Sequence, residues 1–161
     1  MEGILIDWLG GRLLDWFPSW LVRRFVRLDS IARQVRLLPR SKTPLTFGLN
    51  EQTPAVRVWF QVENHSSIDL MLDRVVLDVW AGQPVAYGVM AHRTRIPKHS
   101  TMSQIPPFNG ALTAPAIEQV KRHREQSTNP TCSINASGYF DSKLGPFAVQ
   151  LVGFEGEVQA N

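Results

Sequence analysis

Residues 55–88 read AVRVWFQVENHSSIDLMLDRVVLDVWAGQPVAYG. Val56, Val58, Phe60 and Val62 alternate with Arg57, Trp59, Gln61 and Glu63. A period of two is what a strand with one buried face requires, because successive side chains point to opposite faces. Glu63-Asn64-His65-Ser66-Ser67 interrupts the alternation with turn-forming residues. It resumes with Ile68, Leu70 and Leu72 against Asp69, Met71 and Asp73, and Val75, Leu77 and Val79 follow. Ala81-Gly82-Gln83-Pro84 makes the next turn. Amphipathic strands joined by short turns predict an antiparallel β framework.

The same pattern extends in both directions. Residues 40–54 read as a linker with a short strand at Leu45 to Leu49. After a strand at about 84–96, Ile96-Pro97-Lys98-His99-Ser100 is a turn, and prolines confine Met102 to Pro106 to a sheet edge. Thr113, Pro115 and Glu118 suit the start of a helix, and Lys121, Arg122, His123 and Arg124 suit its end. Cys132, Ile134, Ala136, Gly138 and Phe140 then alternate with Thr131, Ser133, Asn135, Ser137 and Tyr139. A turn at 141–146 leads to a last strand from Phe147 towards Val158. Short strands at regular spacing, each with one apolar side, predict a mainly β antiparallel sandwich with one short internal helix.

The chain has 161 residues, 43% of them hydrophobic, which is enough for a packed core and excludes global disorder. Its single cysteine, Cys132, excludes an intramolecular disulfide framework. The net charge of +3 is unevenly placed. Between residues 19 and 42, Arg23, Arg24, Arg27, Arg33, Arg36, Arg40 and Lys42 face only Asp29. That segment points to an anionic partner, and the remainder is close to neutral or acidic.

Residues 1–40 read as an amphipathic helical segment ahead of a sandwich domain at 41–161. Charged residues interrupt the apolar run, so neither a spanning helix nor a signal peptide is expected. The spacing predicts helices over about 3–17 and 19–38, separated at Pro18. Trp8, Trp16, Trp20 and Phe25 are the candidate apolar anchors, and Arg23, Arg24, Arg27 and Arg36 the candidate electrostatic ones. Tryptophan favours the lipid interface and arginine favours anionic head groups, which suggests a peripheral position on a membrane, on its cytoplasmic side. The alternative is a soluble assembly subunit or an apolar-ligand carrier, with residues 3–38 packed on a partner chain, on another copy or on the sandwich. A nucleic acid is not expected, because a phosphate backbone offers nothing to the apolar stripe.

At this level the chain resembles the late-embryogenesis-abundant proteins of group 2, which share the water-stress and hypersensitive-response domain. The resemblance rests on VWFQVEN at 58–64, IDLMLDRVVLDVWAGQPVAYG at 68–88, IPKHSTMSQIP at 96–106 and CSINASGYFDSKLGPFAV at 132–149. It covers roughly residues 45–158, with one departure: the family often has Asn-Pro where this chain has Asn64-His65. The resemblance implies a fibronectin-III-like sandwich, a link to stress tolerance and, in many members, tethering to membranes. It supplies no catalytic residue set.

The residues themselves point away from catalysis. His65, His92, His99 and His123 lack the spacing of a metal site on one helix or strand, and neither a metal nor a cofactor is expected. Asp69 and Asp73 share a strand face and suit cross-strand pairing with arginine. Cys132 sits on the apolar side of its strand, where a buried thiol is expected. Neither a nucleophile elbow nor a phosphate-binding glycine loop occurs. Trp59, Met71 and Trp80 fall on nominally outward positions, as an exposed patch or as a surface covered by helices.

Overall fold

The computed structural model describes residues 17–40, 44–50, 52–102, 105–126 and 131–160, apart from the side chains of Arg23, Phe25, Val152 and residues 157–160. Among the described residues two short helices come first, α1 (Ser19–Phe25) and α2 (Leu28–Arg33). Ten strands and one further helix follow. These are β1 (Val35–Pro39), β2 (Leu45–Gly48), β3 (Ala55–Val58), β4 (Phe60–Asn64), β5 (Leu70–Ala81) and β6 (Gln83–Ile96). Then come β7 (Ser100–Met102), β8 (Phe108–Ala111), α3 (Ala114–Gln126), β9 (Thr131–Asp141) and β10 (Phe147–Ala160).

The strands make an antiparallel β-sandwich. One layer has the order β6-β5-β9-β10. In the other, β1 and β2 lie end to end, as do β3 and β4, and β7 and β8, because β1-β4-β7 and β2-β3-β8 each pair in that order. The break in the middle row falls at Trp59, whose N–H donates to the Pro44 carbonyl while its own carbonyl accepts from Arg40 N–H. At its end β10 leaves the first layer and pairs parallel to β2, Val158 opposite Leu45. The inward residues foreseen by alternation are buried: Val56, Val58, Phe60 and Val62 from one layer, Leu72, Val75, Leu77 and Val79 from the other. The bulge at Asp73–Arg74 shifts the parity of β5, so both of these residues lie off the core side.

One aromatic ring closes the open edge. Phe108 of β8 lies over Gly88 of β6 and Gly110, where an added Cβ would stand 2.5 and 2.6 Å from the ring. Glycine is required at both places by this close approach, not by an unusual backbone angle.

The structure corrects the expected helix over 19–38. It breaks at Val26–Arg27, ends at Arg33, and gives way to strand β1. Val35 fits a helical spacing with Leu28, but Val35 and Leu37 also alternate with Arg36, and pairing with β4 buries both. Tertiary pairing outweighs a weak helical preference in a β-branched sequence. Val22 and Ile31 are 1% and 2% exposed within the same core. The boundary at 40/41 therefore moves, because residues from Val22 onward pack with the sandwich. The edge strand expected at Met102 to Pro106 is instead the pair β7 and β8, on either side of Pro106-Pro107.

A buried polar clamp sets the strand ends. Asn64 and Ser66 are both fully buried. Asn64 Nδ2 donates to the carbonyls of Ile68 (2.9 Å) and Pro97 (3.0 Å), and Asn64 Oδ1 accepts from Ser66 N–H (3.0 Å) and Ser66 Oγ (2.6 Å). The Ser66 carbonyl accepts from His99 N–H at 3.2 Å, and His99 stands at a left-handed φ of 50°. The carboxamide thus ties the β4–β5 turn to the β6–β7 turn. Asn64→Ala should lower unfolding free energy by about 3 kcal/mol, because it strands several buried donors and acceptors at once. Urea unfolding followed by circular dichroism measures it, and a loss below about 1 kcal/mol would contradict the clamp.

Candidate functional site

The anchor residues separate into two groups. Val22 and Ile31 are buried, with Val26 and Leu28 packed against the same core, so one side of α1 and α2 is committed to the sandwich. Trp20 is 66% exposed and Phe17 43% exposed. Arg24 stands one turn after Trp20, and Arg24 and Arg27 are exposed. Within α1, Trp20 and Arg24 share one side, while exposed Phe17 and Arg27 lie just outside its two ends. Arg36 does not belong with them. It is an exposed residue of β1, opposite Glu63. Trp8 and Trp16 lie outside the described residues, as do the side chains of Arg23 and Phe25. Among the described residues, no helix is long and apolar enough to cross a membrane.

Trp59, Met71 and Trp80 do not form one patch. Met71 and Trp80 lie near opposite ends of β5, about 30 Å apart at the usual strand rise. Trp59 belongs to the other layer and is half-buried. Each has its own surroundings.

Trp80 is 39% exposed and lines a depression of about 320 Å³ with Gly82, Thr131, Ser133, Asn135 and Glu155. The strand register builds it: Trp80 is opposite Ser133, and Ser133 is opposite Glu155. Asn135 Oδ1 accepts from Gly153 N–H at 2.7 Å, which fixes the amide. Helix α3 holds the rim, since Gln119 Nε2 donates to the Ala81 carbonyl and His123 Nε2 to the Thr131 carbonyl, both at 2.8 Å. Gly82 supplies the left-handed φ of 71° that the tight β5–β6 turn needs. The sequence carried a sign of this site, because the outward side of β9 is Thr131, Ser133, Asn135 and Ser137, without a charge until Asp141.

Met71 lies near the other end, opposite Arg95 and Asp141. There the bulge at Asp73–Arg74 opens a cleft of about 490 Å³ that includes Arg74, Arg93, Tyr139, Asp141 and Phe147. The Arg74 guanidinium sits 4.6 Å from the centre of the Tyr139 ring, a cation–π contact. Arg93 pairs with Asp73 at 3.7 Å, and Arg95 with Asp69. The expected cross-strand pairing of the aspartates with arginines is present.

No family model matches the chain, and no curated protein matches it. Its fold is similar to that of a protein from Archaeoglobus fulgidus solved by crystallography. The two are 12% identical, the match covers 76% of this chain and 92% of that one, and the TM-score is 0.51. At that identity the likeness concerns the β fold alone.

Among the described residues, no three His, Cys, Asp or Glu side chains are grouped to hold a metal ion. Cys132 is buried, and burial pushes its thiol up to about 12, so it stays protonated at neutral pH. Asn64-His65-Ser66 has the form of a glycosylation sequon, but its amide is buried in the clamp.

Asp69 is the titrating group of interest. Hydrogen bonding from Arg95 and then from Lys98 N–H holds its carboxyl below the ordinary value. A depressed folded-state pKa contributes stability above the unfolded value, and that contribution is lost as pH falls through the folded one. Asp69→Asn should therefore lower the unfolding midpoint at neutral pH while flattening its fall below about pH 4. Thermal unfolding across acid pH measures this, and parallel curves for the two proteins would contradict it.

Proposed function

We propose that the protein is a non-enzymatic, membrane-peripheral binding or scaffolding module of the group-2 late-embryogenesis-abundant type, with a role in stress tolerance at the cytoplasmic side of an anionic membrane. The layering of four strands against three kinked rows supports the fibronectin-III-like part of this reading. The observation that carries the membrane part is the exposure of Trp20, one turn from exposed Arg24 and in the same segment as exposed Arg27, while Val22 and Ile31 fasten the same helices to the core. A large apolar ring left in water next to cations suits the boundary between head groups and acyl chains. The sandwich then stands off the bilayer and presents its outer faces to the aqueous side.

Flotation with phosphatidylglycerol–phosphatidylcholine vesicles tests this. Removal of residues 1–41 is a poor comparison, because it deletes strand β1. Trp20→Ala and the pair Arg24→Glu, Arg27→Glu change exposed positions only. The full chain should float with anionic vesicles and less with pure phosphatidylcholine. Reversing the two arginines should lower the partition coefficient roughly ten-fold or more, since each basic residue contributes about 1 kcal/mol at such a surface. Equal flotation of all three proteins would defeat the reading. A discrete oligomer in lipid-free light scattering, lost on Trp20→Ala, would instead assign this surface to a partner chain.

A further inference from the structure

We infer that the Trp80 depression is a carbohydrate-binding subsite for a neutral, hydroxyl-rich glycan chain. It lies on the outer face of the four-stranded layer and involves neither α1 nor α2. The chemistry of its lining selects the ligand class. A pyranose has an apolar C–H face and a rim of hydroxyls. The first needs a flat apolar surface, and each hydroxyl needs a donor or an acceptor. Trp80 supplies the flat surface, with an amphipathic ring that costs little conformational freedom to hold in place. Ser133 offers a hydroxyl that both donates and accepts. Asn135 has its oxygen committed to Gly153, so its Nδ2 is left to donate. Glu155 offers a carboxylate, which can accept from two adjacent hydroxyls.

Charge excludes the obvious competitors. Among the described residues of the lining, Glu155 is the one that is ionised, and Asp78 is opposite Asn135 in the next row. Phosphates, sulfated sugars and uronic acids would meet carboxylates, with no Lys or Arg among the described residues of the lining. A volume of about 320 Å³ lies at the small end of ligand sites, large enough for a sugar residue or two.

Two further features favour a chain over a single sugar. Tyr87 is 70% exposed and opposite Asp78, one strand across and two residues along from Trp80. That places the two backbones about 8 Å apart, so a second ring is available to a neighbouring sugar unit. The depression is open, so a chain can enter and leave along the sheet. The walls are also fixed before any ligand arrives, because Gln119 and His123 of α3 hold the Ala81 and Thr131 carbonyls. Binding then orders little of the protein.

Native affinity electrophoresis of the full chain tests the assignment, in gels containing mixed-linkage β-glucan, arabinoxylan, galactomannan, amylopectin or polygalacturonate. At least one of the four neutral polymers should retard the protein, and polygalacturonate should not. Trp80→Ala should weaken that retardation roughly ten-fold or more, as expected on removing an aromatic anchor. Ser133→Arg, which fills the depression without touching the core side of β9, should abolish it. Trp20→Ala should leave it unchanged, so failure here is distinguishable from failure of the membrane reading. Circular dichroism confirms that each variant is folded. No retardation by any neutral polymer would overturn the proposal, and so would equal retardation of folded Trp80→Ala and the parent chain.

Discussion

The Asn64 carboxamide is the contact on which the strand arrangement depends. A buried amide without partners is costly, so the chain must deliver the Ile68 and Pro97 carbonyls and the Ser66 donors to it. Meeting that demand fixes where β4 ends, where β5 begins and how the β6–β7 turn returns. Alternation alone cannot do this. A slip of one residue would keep the period of β5 and turn Leu70 and Leu72 outward. The clamp selects one register from those that the hydrophobic pattern allows. The left-handed His99 belongs to the same constraint, since its N–H reaches the Ser66 carbonyl.

With the register fixed, the remainder of the molecule divides between packing and presentation. Phe108 joins β6 to β8 through two glycines, and α3 braces the β5–β6 turn and the start of β9. Helices α1 and α2 are not separate from the sandwich. Val22 and Ile31 bind them to the core, and this attachment holds Trp20 outward with Arg24 and Arg27. The outer face of the first layer is mostly small and polar along β9, with aromatic rings at Trp80 and Tyr139. Two depressions on it differ in chemistry: an arginine–aspartate pair at the Met71 end, uncharged hydrogen-bonding groups with a carboxylate at the Trp80 end.

The framework was legible in the sequence because burial leaves a direct trace there. The period of two over Val56–Val62 and over Cys132–Phe140 marked the core faces, and Thr113 with Pro115 marked the internal helix. Three features left no such trace. Val35 satisfies a helical spacing with Leu28 and an extended one with Leu37, and only the pairing with β4 decides between them. The step from Leu72 to Val75 marks the bulge at Asp73–Arg74, but an outward parity says nothing of neighbours 30 Å apart, so Trp59, Met71 and Trp80 looked like one surface. Asn64 read as a turn residue, because a sequence does not reveal that an amide is enclosed. The Trp80 site needed the register, which brings Ser133 and Glu155 beside it from two other strands.

The central claim is that one side of the N-terminal helices is spent on the core while Trp20 is kept for a bilayer. Fluorescence of a protein with Trp20 as its sole tryptophan, the other four replaced by phenylalanine, tests it most directly. A Trp20 that enters a bilayer surface should give the emission of a water-exposed indole in buffer, then a blue shift and quenching on addition of phosphatidylglycerol vesicles with brominated acyl chains. An emission already blue in buffer, or one that the brominated vesicles leave unchanged, would contradict it.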